Sequence, residues 1–216
     1  MLSGIDVSKW NKVSTVTDND VDFCIIKATE GRTYKDPAIH MHTEAATNTH
    51  KLLGFYHYAR PDNGNTPLQE AMNFYEAVKQ YAGEAIFAVD WEGKSLNVVD
   101  GEQWLLQFCS YFYNLSGVRP LVYMSENECK KEKYKTVANF NVGLWVANRK
   151  ESVTSGVWKF WTIHQYSSTG FDKNRFNGTR EQWLKYTTVE NKQEEEKDEE
   201  EHYCGCCCCC KCGCKE

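Results

Sequence analysis

Residues Glu84–Gly93 read E-A-I-F-A-V-D-W-E-G. The apolar run from Ala85 to Val89 is bounded by charge, and its length suits a buried strand rather than a helix. Side chains on a strand alternate between its faces, so Asp90 and Glu92 share one face and Trp91 takes the other. At about 3.3 Å of rise per residue their Cα atoms lie roughly 6.5–7 Å apart. Two carboxylates leaving a buried strand are costly unless they are hydrogen-bonded or put to use. Paired acids of this kind are also the usual equipment for breaking a glycosidic bond. A strand running out into an acidic loop is the plainer reading of the same ten residues.

Working outward, similar short apolar runs recur. Gly4–Ser8 places Ile5 and Val7 on one face and Gly4 and Asp6 on the other. Phe23–Ala28 is apolar almost throughout, as strands buried on both faces are. Leu53–Ala59, Pro120–Met124, Val142–Ala147, Phe160–Tyr166 and Asp172–Phe176 read as further strands. Between them lie helix patterns. Asp36 and Pro37 read as N-cap and first residue of a helix reaching about Leu53, where Gly54 stops it. Thr66-Pro67 opens a second helix, with Ala71, Phe74, Tyr75 and Val78 at helical spacing and Gly83 after it. Asp100 and Gln103 read as a capping box for a third, whose stripe is Trp104, Leu105, Phe108, Cys109 and Phe112. His40, His42 and His50 read as surface histidines, because no Cys or carboxylate stands at metal-ligand spacing on their face. Lys27 and Glu30 read as a structural ion pair.

Eight strand candidates alternating with helices predict an α/β fold, an irregular β/α barrel. The chain is short for eight full units, since around 250 residues is typical, so fewer than eight helices are expected. Sites in such barrels sit at the C-terminal ends of the strands. Asp6, Tyr56, Asp90, Glu92, Tyr123, Trp145 and Gln165 all fall at or near such ends.

The bulk composition narrows the classes. A net charge of −5 over 216 residues offers no basic face for nucleic acid. Seven Trp and 12 Tyr suit stacking against sugars. No apolar run is long enough to cross a membrane, and the start, M-L-S-G-I-D-V-S, lacks the pattern of a signal peptide. Of 11 cysteines, Cys24, Cys109 and Cys129 are scattered and eight crowd between Cys204 and Cys214, so no disulfide framework is expected in the domain. The domain is expected over residues 1–187. An acidic, then Cys-rich tail over 188–216 is expected to be disordered. Its thiols suit a soft metal, lipidation or cross-linking, or serve no purpose.

The ordered set Gly4-Ile-Asp-Val-Ser8, Val89-Asp-Trp-Glu92, Leu121-Val-Tyr-Met-Ser125, Leu144-Trp-Val-Ala-Asn148, His164-Gln-Tyr-Ser167 and Phe171-Asp-Lys-Asn-Arg-Phe-Asn-Gly178 resembles the glycoside hydrolase family 25 lysozymes. These are the Chalaropsis-type muramidases of phages and bacteria. The resemblance spans about residues 3–186 and departs from many members at Phe171 and Lys173. It implies a barrel with fewer than eight helices that cuts the β-1,4 bond between N-acetylmuramic acid and N-acetylglucosamine in peptidoglycan. Glu92 then resembles the proton donor, and Asp90 the partner that stabilises charge at the sugar ring or orients its acetamido group. Asp6 and Asp172 resemble two flanking acids. Tyr56, Tyr123 and Trp145 resemble sugar-contacting rings, and Gln165 a polar wall. No metal or cofactor is implied. The partners are glycan strands, and a monomeric phage lysin held in the host cytoplasm before release is the expected setting. Retention, inversion and assistance by the substrate's acetamido group all stay open. So do a non-catalytic glycan-binding barrel and a chitinase-like hydrolase, although Ile86 and Ala88 stand where a chitinase would extend its acidic signature.

Overall fold

The computed structural model describes residues 1–190. The Cys-rich stretch and most of the acidic tail lie outside the described residues, and with them the readings made for the tail. Among the described residues nine strands are present: β1 (Leu2–Val7), β2 (Phe23–Glu30), β3 (Tyr34–Lys35), β4 (Leu52–Tyr58), β5 (Ile86–Asp90), β6 (Leu121–Ser125), β7 (Leu144–Ala147), β8 (Ile163–Ser167) and β9 (Asp172–Phe176). Seven α-helices accompany them among the described residues: α1 (Ser14–Thr17), α2 (Ile39–Asn48), α3 (Pro67–Val78), α4 (Gly101–Ser116), α5 (Glu126–Cys129), α6 (Lys135–Asn139) and α7 (Arg180–Lys185).

The hydrogen-bonded order is β1-β9-β8-β7-β6-β5-β4-β2, and β1 pairs with β2 to close the ring. The expected eight-stranded barrel with fewer than eight helices is therefore present. β3 is a short addition, antiparallel to the end of β2. Neighbours in the ring are parallel except around β9, which runs antiparallel to both β8 and β1.

Strand alternation separates two cores. Inward-facing Phe23, Ile25, Ile86, Ala88, Leu121, Trp145, Ile163 and Phe176 fill the barrel, and Trp183 of α7 joins them. Outward-facing Cys24, Ile26, Phe55, Phe87, Val89, Val122 and Val146 pack with helical residues such as Phe74, Phe108 and Phe112. Trp91 belongs to the outer set, with its indole Nε1 donating to the Tyr134 hydroxyl at 3.0 Å. The inward series Ile86, Ala88 points on to Asp90, as the period of two requires.

The interior is filled tightly enough to dictate glycine at its margin. A Cβ on Gly4 would lie 2.2 Å from the Phe23 ring, which is itself pinned by Trp183 at 4.7 Å between centroids. We expect Gly4→Ala to destabilise the fold by roughly 2–3 kcal/mol through overpacking. Urea denaturation checks this, and an unchanged midpoint would contradict the packing account.

Several local expectations are corrected. α2 begins at Ile39, with Ala38 at its N-cap, because Asp36 is tied to the end of β2 by its own N–H donating to the Ala28 carbonyl at 2.8 Å. The Asp36 carboxylate instead accepts from the Ala38 N–H at 2.9 Å. The helix stops at Asn48, and His50, at φ +56°, turns the chain. Gly54 lies inside β4 rather than ending a helix. Asp100 caps nothing with its side chain and sits at φ +53°. Reciprocal capping boxes are at Thr66 with Gln69 and at Thr179 with Gln182 instead. His42 is not a surface residue; it is fully buried, with Nε2 at 3.2 Å from the Ser8 carbonyl. His40 and His50 are exposed. Lys27 and Glu30 do pair, at 2.7 Å.

On the outward face of β4, His57 is fully buried. Its Nε2 lies 2.8 Å from Glu70 and its Nδ1 2.7 Å from the Thr29 hydroxyl. Burial holds the imidazole below the usual histidine range, so the neutral ring donates from Nε2 and accepts at Nδ1. The Glu70 carboxylate also accepts from the Arg60 N–H at 3.0 Å and the Asn65 amide at 2.8 Å.

Candidate active site

The C-terminal ends of the strands form a rim. Asp6 is next to last in β1, Asp90 ends β5, and Glu92 follows in extended backbone. Tyr56, Tyr123, Trp145 and Gln165 come from β4, β6, β7 and β8. Asp172 begins β9. Because β9 runs backwards, its first residue reaches the rim where the other strands end, and Asp172 is the register partner of Asp6. All eight line one cavity of about 460 Å³, together with Ser125, Ala147, Asn148, Arg149, Ser167 and Ser168. No group of three or more His, Cys, Asp or Glu side chains is arranged to hold a metal among the described residues.

A polar chain organises the wall. The Tyr123 hydroxyl donates to the Gln165 amide oxygen at 3.0 Å, and the Gln165 amide nitrogen donates to Asp6 Oδ2 at 2.9 Å. Asn174 donates to the same Asp6 oxygen at 2.7 Å and accepts from Trp145 Nε1 at 2.8 Å. Asp6 therefore fixes two of the three rings at one remove. The rings pack edge-on, Tyr123 against Trp145 at 4.9 Å and Tyr56 against Trp145 at 6.1 Å. This sets the Tyr56 and Tyr123 rings, backed by the buried Trp145, at the open end of a barrel whose interior is apolar, a surface suited to sugars.

The acids disturb one another. Burial raises Asp6, the negative charge of Asp172 adds to it, and the carboxyl is pushed up to about 7 despite the Asn174 and Gln165 donors. Asp90 is pushed well above the carboxylate range by burial and then by Glu92; Lys27 opposes this. One of its oxygens, Oδ1, is buried without a hydrogen-bond partner among the described residues. Glu92 is raised by burial and by Asp172, again opposed by Lys27. Asp172 is raised by burial, and Arg149 opposes it. Burial weighs more heavily on Asp90 than on Glu92. Two adjacent buried carboxyls share protons as a pair. Lys27, besides binding Glu30, supplies positive potential to that pair.

These shifts give a pH dependence of stability. A carboxyl raised from 3.8 to about 7 keeps its proton in the folded chain over a window in which the unfolded chain has lost it. The unfolded state then binds fewer protons, so stability is full below about pH 4 for this group and falls as pH rises towards 7. For Asp6, a rise from 3.8 to about 7 amounts to about 4 kcal/mol, at about 1.4 kcal/mol per unit. We expect Asp6→Asn to flatten part of the slope, measured as the urea midpoint between pH 4 and pH 8. An identical slope in the variant would remove the assignment.

The residues that sequence reasoning missed are Asn174 and Arg149. Asn174 lies within a quoted segment, but nothing local shows that it faces inward to join Trp145 to Asp6. Arg149 follows β7 in a loop with no pattern of its own.

A closed β/α barrel with a cluster of mutually perturbed acids and edge-packed rings at its strand-end mouth defines a carbohydrate hydrolase. Comparison with known proteins supports this class and makes it specific. Residues 5–175 match the sequence profile of Glycosyl hydrolases family 25. The autolytic lysozyme of Clostridium acetobutylicum is 30% identical over 152 residues, covering 68% of this chain but 44% of that protein. The N,O-diacetylmuramidase of Chalaropsis sp. is 26% identical, covering 87% of this chain and 99% of that protein. The solved muramidase of Trichobolus zukalii superposes with a TM-score of 0.75 at 25% identity, covering 87% of this chain and 99% of that one. The chain belongs to Glycosyl hydrolases family 25 and is a glycoside hydrolase of the lysozyme and muramidase kind.

Proposed function

We propose that the chain is an N-acetylmuramidase that hydrolyses the β-1,4 bond between N-acetylmuramic acid and N-acetylglucosamine in peptidoglycan. The observation that carries this reading is the convergence of Asp6, Asp90, Glu92 and Asp172 on one ring-lined cavity. Glu92 is the general acid. It is the less buried of the central pair, set at the lip of the cavity where a leaving oxygen is reached, and its raised pKa keeps a proton available. Asp90, sealed beneath it with one oxygen unpartnered, stabilises positive charge at the ring or holds the acetamido N–H. Asp6 and Asp172 flank them, and their charges help hold protons on the pair. Tyr56, Tyr123 and Trp145 bear on the sugars, with Gln165 as polar wall.

The proposal extends to a phage lysin acting as a monomer on the bacterial wall. Light scattering of the purified protein checks the second point, with 25.0 kDa expected. The bond cut is tested by digesting purified walls and identifying the new reducing ends. Muramic acid ends support the reading, and glucosamine ends or no release overturn it. A chitinase-like hydrolase or a non-catalytic barrel would give those two opposing results in turn.

A further inference from the structure

A second cavity opens on the same rim. It measures about 510 Å³ and is lined by the C-terminal part of β2, by β3 and by the loops after β1, β2 and β4, including Lys9, Trp10, Lys27, Arg32, Tyr34 and Arg60. None of its lining residues belongs to the acid-lined cavity. Its character is the opposite. Four cations line it against two acids, Glu30 and Asp36. Both acids are already engaged. Glu30 accepts from Lys27 at 2.7 Å and from Arg60 at 2.7 Å, and Asp36 accepts from the Lys9 and Ala38 backbone N–H groups. Lys9 and Arg32 have no acid partner among the described residues, and both are exposed.

The aromatics are arranged around these charges. Lys9 Nζ sits 4.8 Å from the Trp10 ring and 5.3 Å from the Tyr34 ring, and Lys27 Nζ lies 5.8 Å from Tyr34. Trp10 is 84% exposed, a large amphipathic surface left in water at the rim of the molecule. The Tyr34 hydroxyl is buried and finds no hydrogen-bond partner among the described residues. In a chain of net charge −5, a concave patch whose Lys9 and Arg32 have no acid partner among the described residues, beside the Trp10 and Tyr34 rings, marks a place for an anion.

We propose that this cavity binds the peptide stem of the substrate, through the free carboxylates that such stems carry. The inference rests on the muramidase reading, since the stems hang from the muramic acid next to the bond that is cut. Lys9 and Arg32 pair with stem carboxylates, and Trp10 covers the stem's aliphatic part. Specificity for peptide-bearing over bare glycan follows.

The test compares two substrates, intact peptidoglycan and the same glycan stripped of its peptides by an amidase. The double variant Lys9→Gln, Arg32→Gln removes both charges at exposed positions. We expect its kcat/KM ratio between the two substrates to fall about fivefold against wild type, as two partly exposed ion pairs allow. The preference should also shrink with added salt. A ratio unchanged in the variant overturns the inference. Independently, a soluble stem tetrapeptide titrated into Glu92→Gln protein should perturb the Trp10 indole resonance. Binding that leaves Trp10 untouched, or no binding at millimolar peptide, also overturns it. If wild type cuts neither substrate, the muramidase reading itself fails, and the tetrapeptide titration still decides whether the cavity takes a stem.

Discussion

Glu92→Gln protein folds as wild type does but releases reducing ends from peptidoglycan about a thousandfold more slowly, the scale of a lost general acid. Glutamine keeps the size and polarity of the side chain and removes only the titrating proton. The rings, the Asp6 chain and the barrel interior are untouched. Removing one of two adjacent carboxyls also relieves Asp90, whose pKa is raised in part by Glu92. The melting temperature near pH 7 is therefore expected to stay level or rise, which separates loss of chemistry from loss of fold. In wild type the rate falls as pH rises through the raised pKa of the pair, because the donor loses its proton. A variant with more than a tenth of the wild-type rate would end the assignment of Glu92 as the acid.

Glu70→Ala is expected to cost about 3–5 kcal/mol of stability, the largest structural effect among the charged residues. Glu70 is fully buried and takes donors from His57, Arg60 and Asn65 around one carboxylate. Alanine leaves His57 Nε2 and the Arg60 N–H without an acceptor, each at a desolvation cost of about 1–3 kcal/mol, leaves Asn65 only the Arg60 carbonyl at 3.1 Å, and leaves a hole beside them. The loop after β4 loosens with it. That loop carries Arg60, which holds Glu30, which in turn holds Lys27, the cation facing Asp90 and Glu92. Chemical denaturation reads the stability, and a loss below about 1 kcal/mol would show that the network contributes little.

What was legible in the chain follows from where the signal is local. The strand ending in Asp90 announced itself, because five apolar residues bounded by charge admit few other structures. Its period of two placed Asp90 and Glu92 together. The rings Tyr123 and Trp145 followed from the same alternation on their own strands. Other features depend on partners distant in sequence. Asp172 reads as the start of one more strand, and only the reversed direction of β9 brings it opposite Asp6. His42 looked like one of three exposed histidines, since its burial depends on α2 packing over the end of β1. Asp100 had the composition of a cap, yet the preceding turn forces it to φ +53°, where its side chain caps nothing. Glu70 stands in the first turn of α3, a favourable place for any acid, and nothing nearby reveals that three buried donors wait for it.

The ring of strands is sealed by its two ends, since β1 lies hydrogen-bonded between β2 and β9. During synthesis the first strand emerges with one flank unpaired and keeps it so until about residue 176 has left the ribosome. Seven parallel strands must wait side by side without a finished circuit, and the mouth lacks Asp172 throughout that wait. A nascent or prematurely terminated chain is thus inert as well as sticky, and competence arrives in a single late step when the final strand slots into the gap.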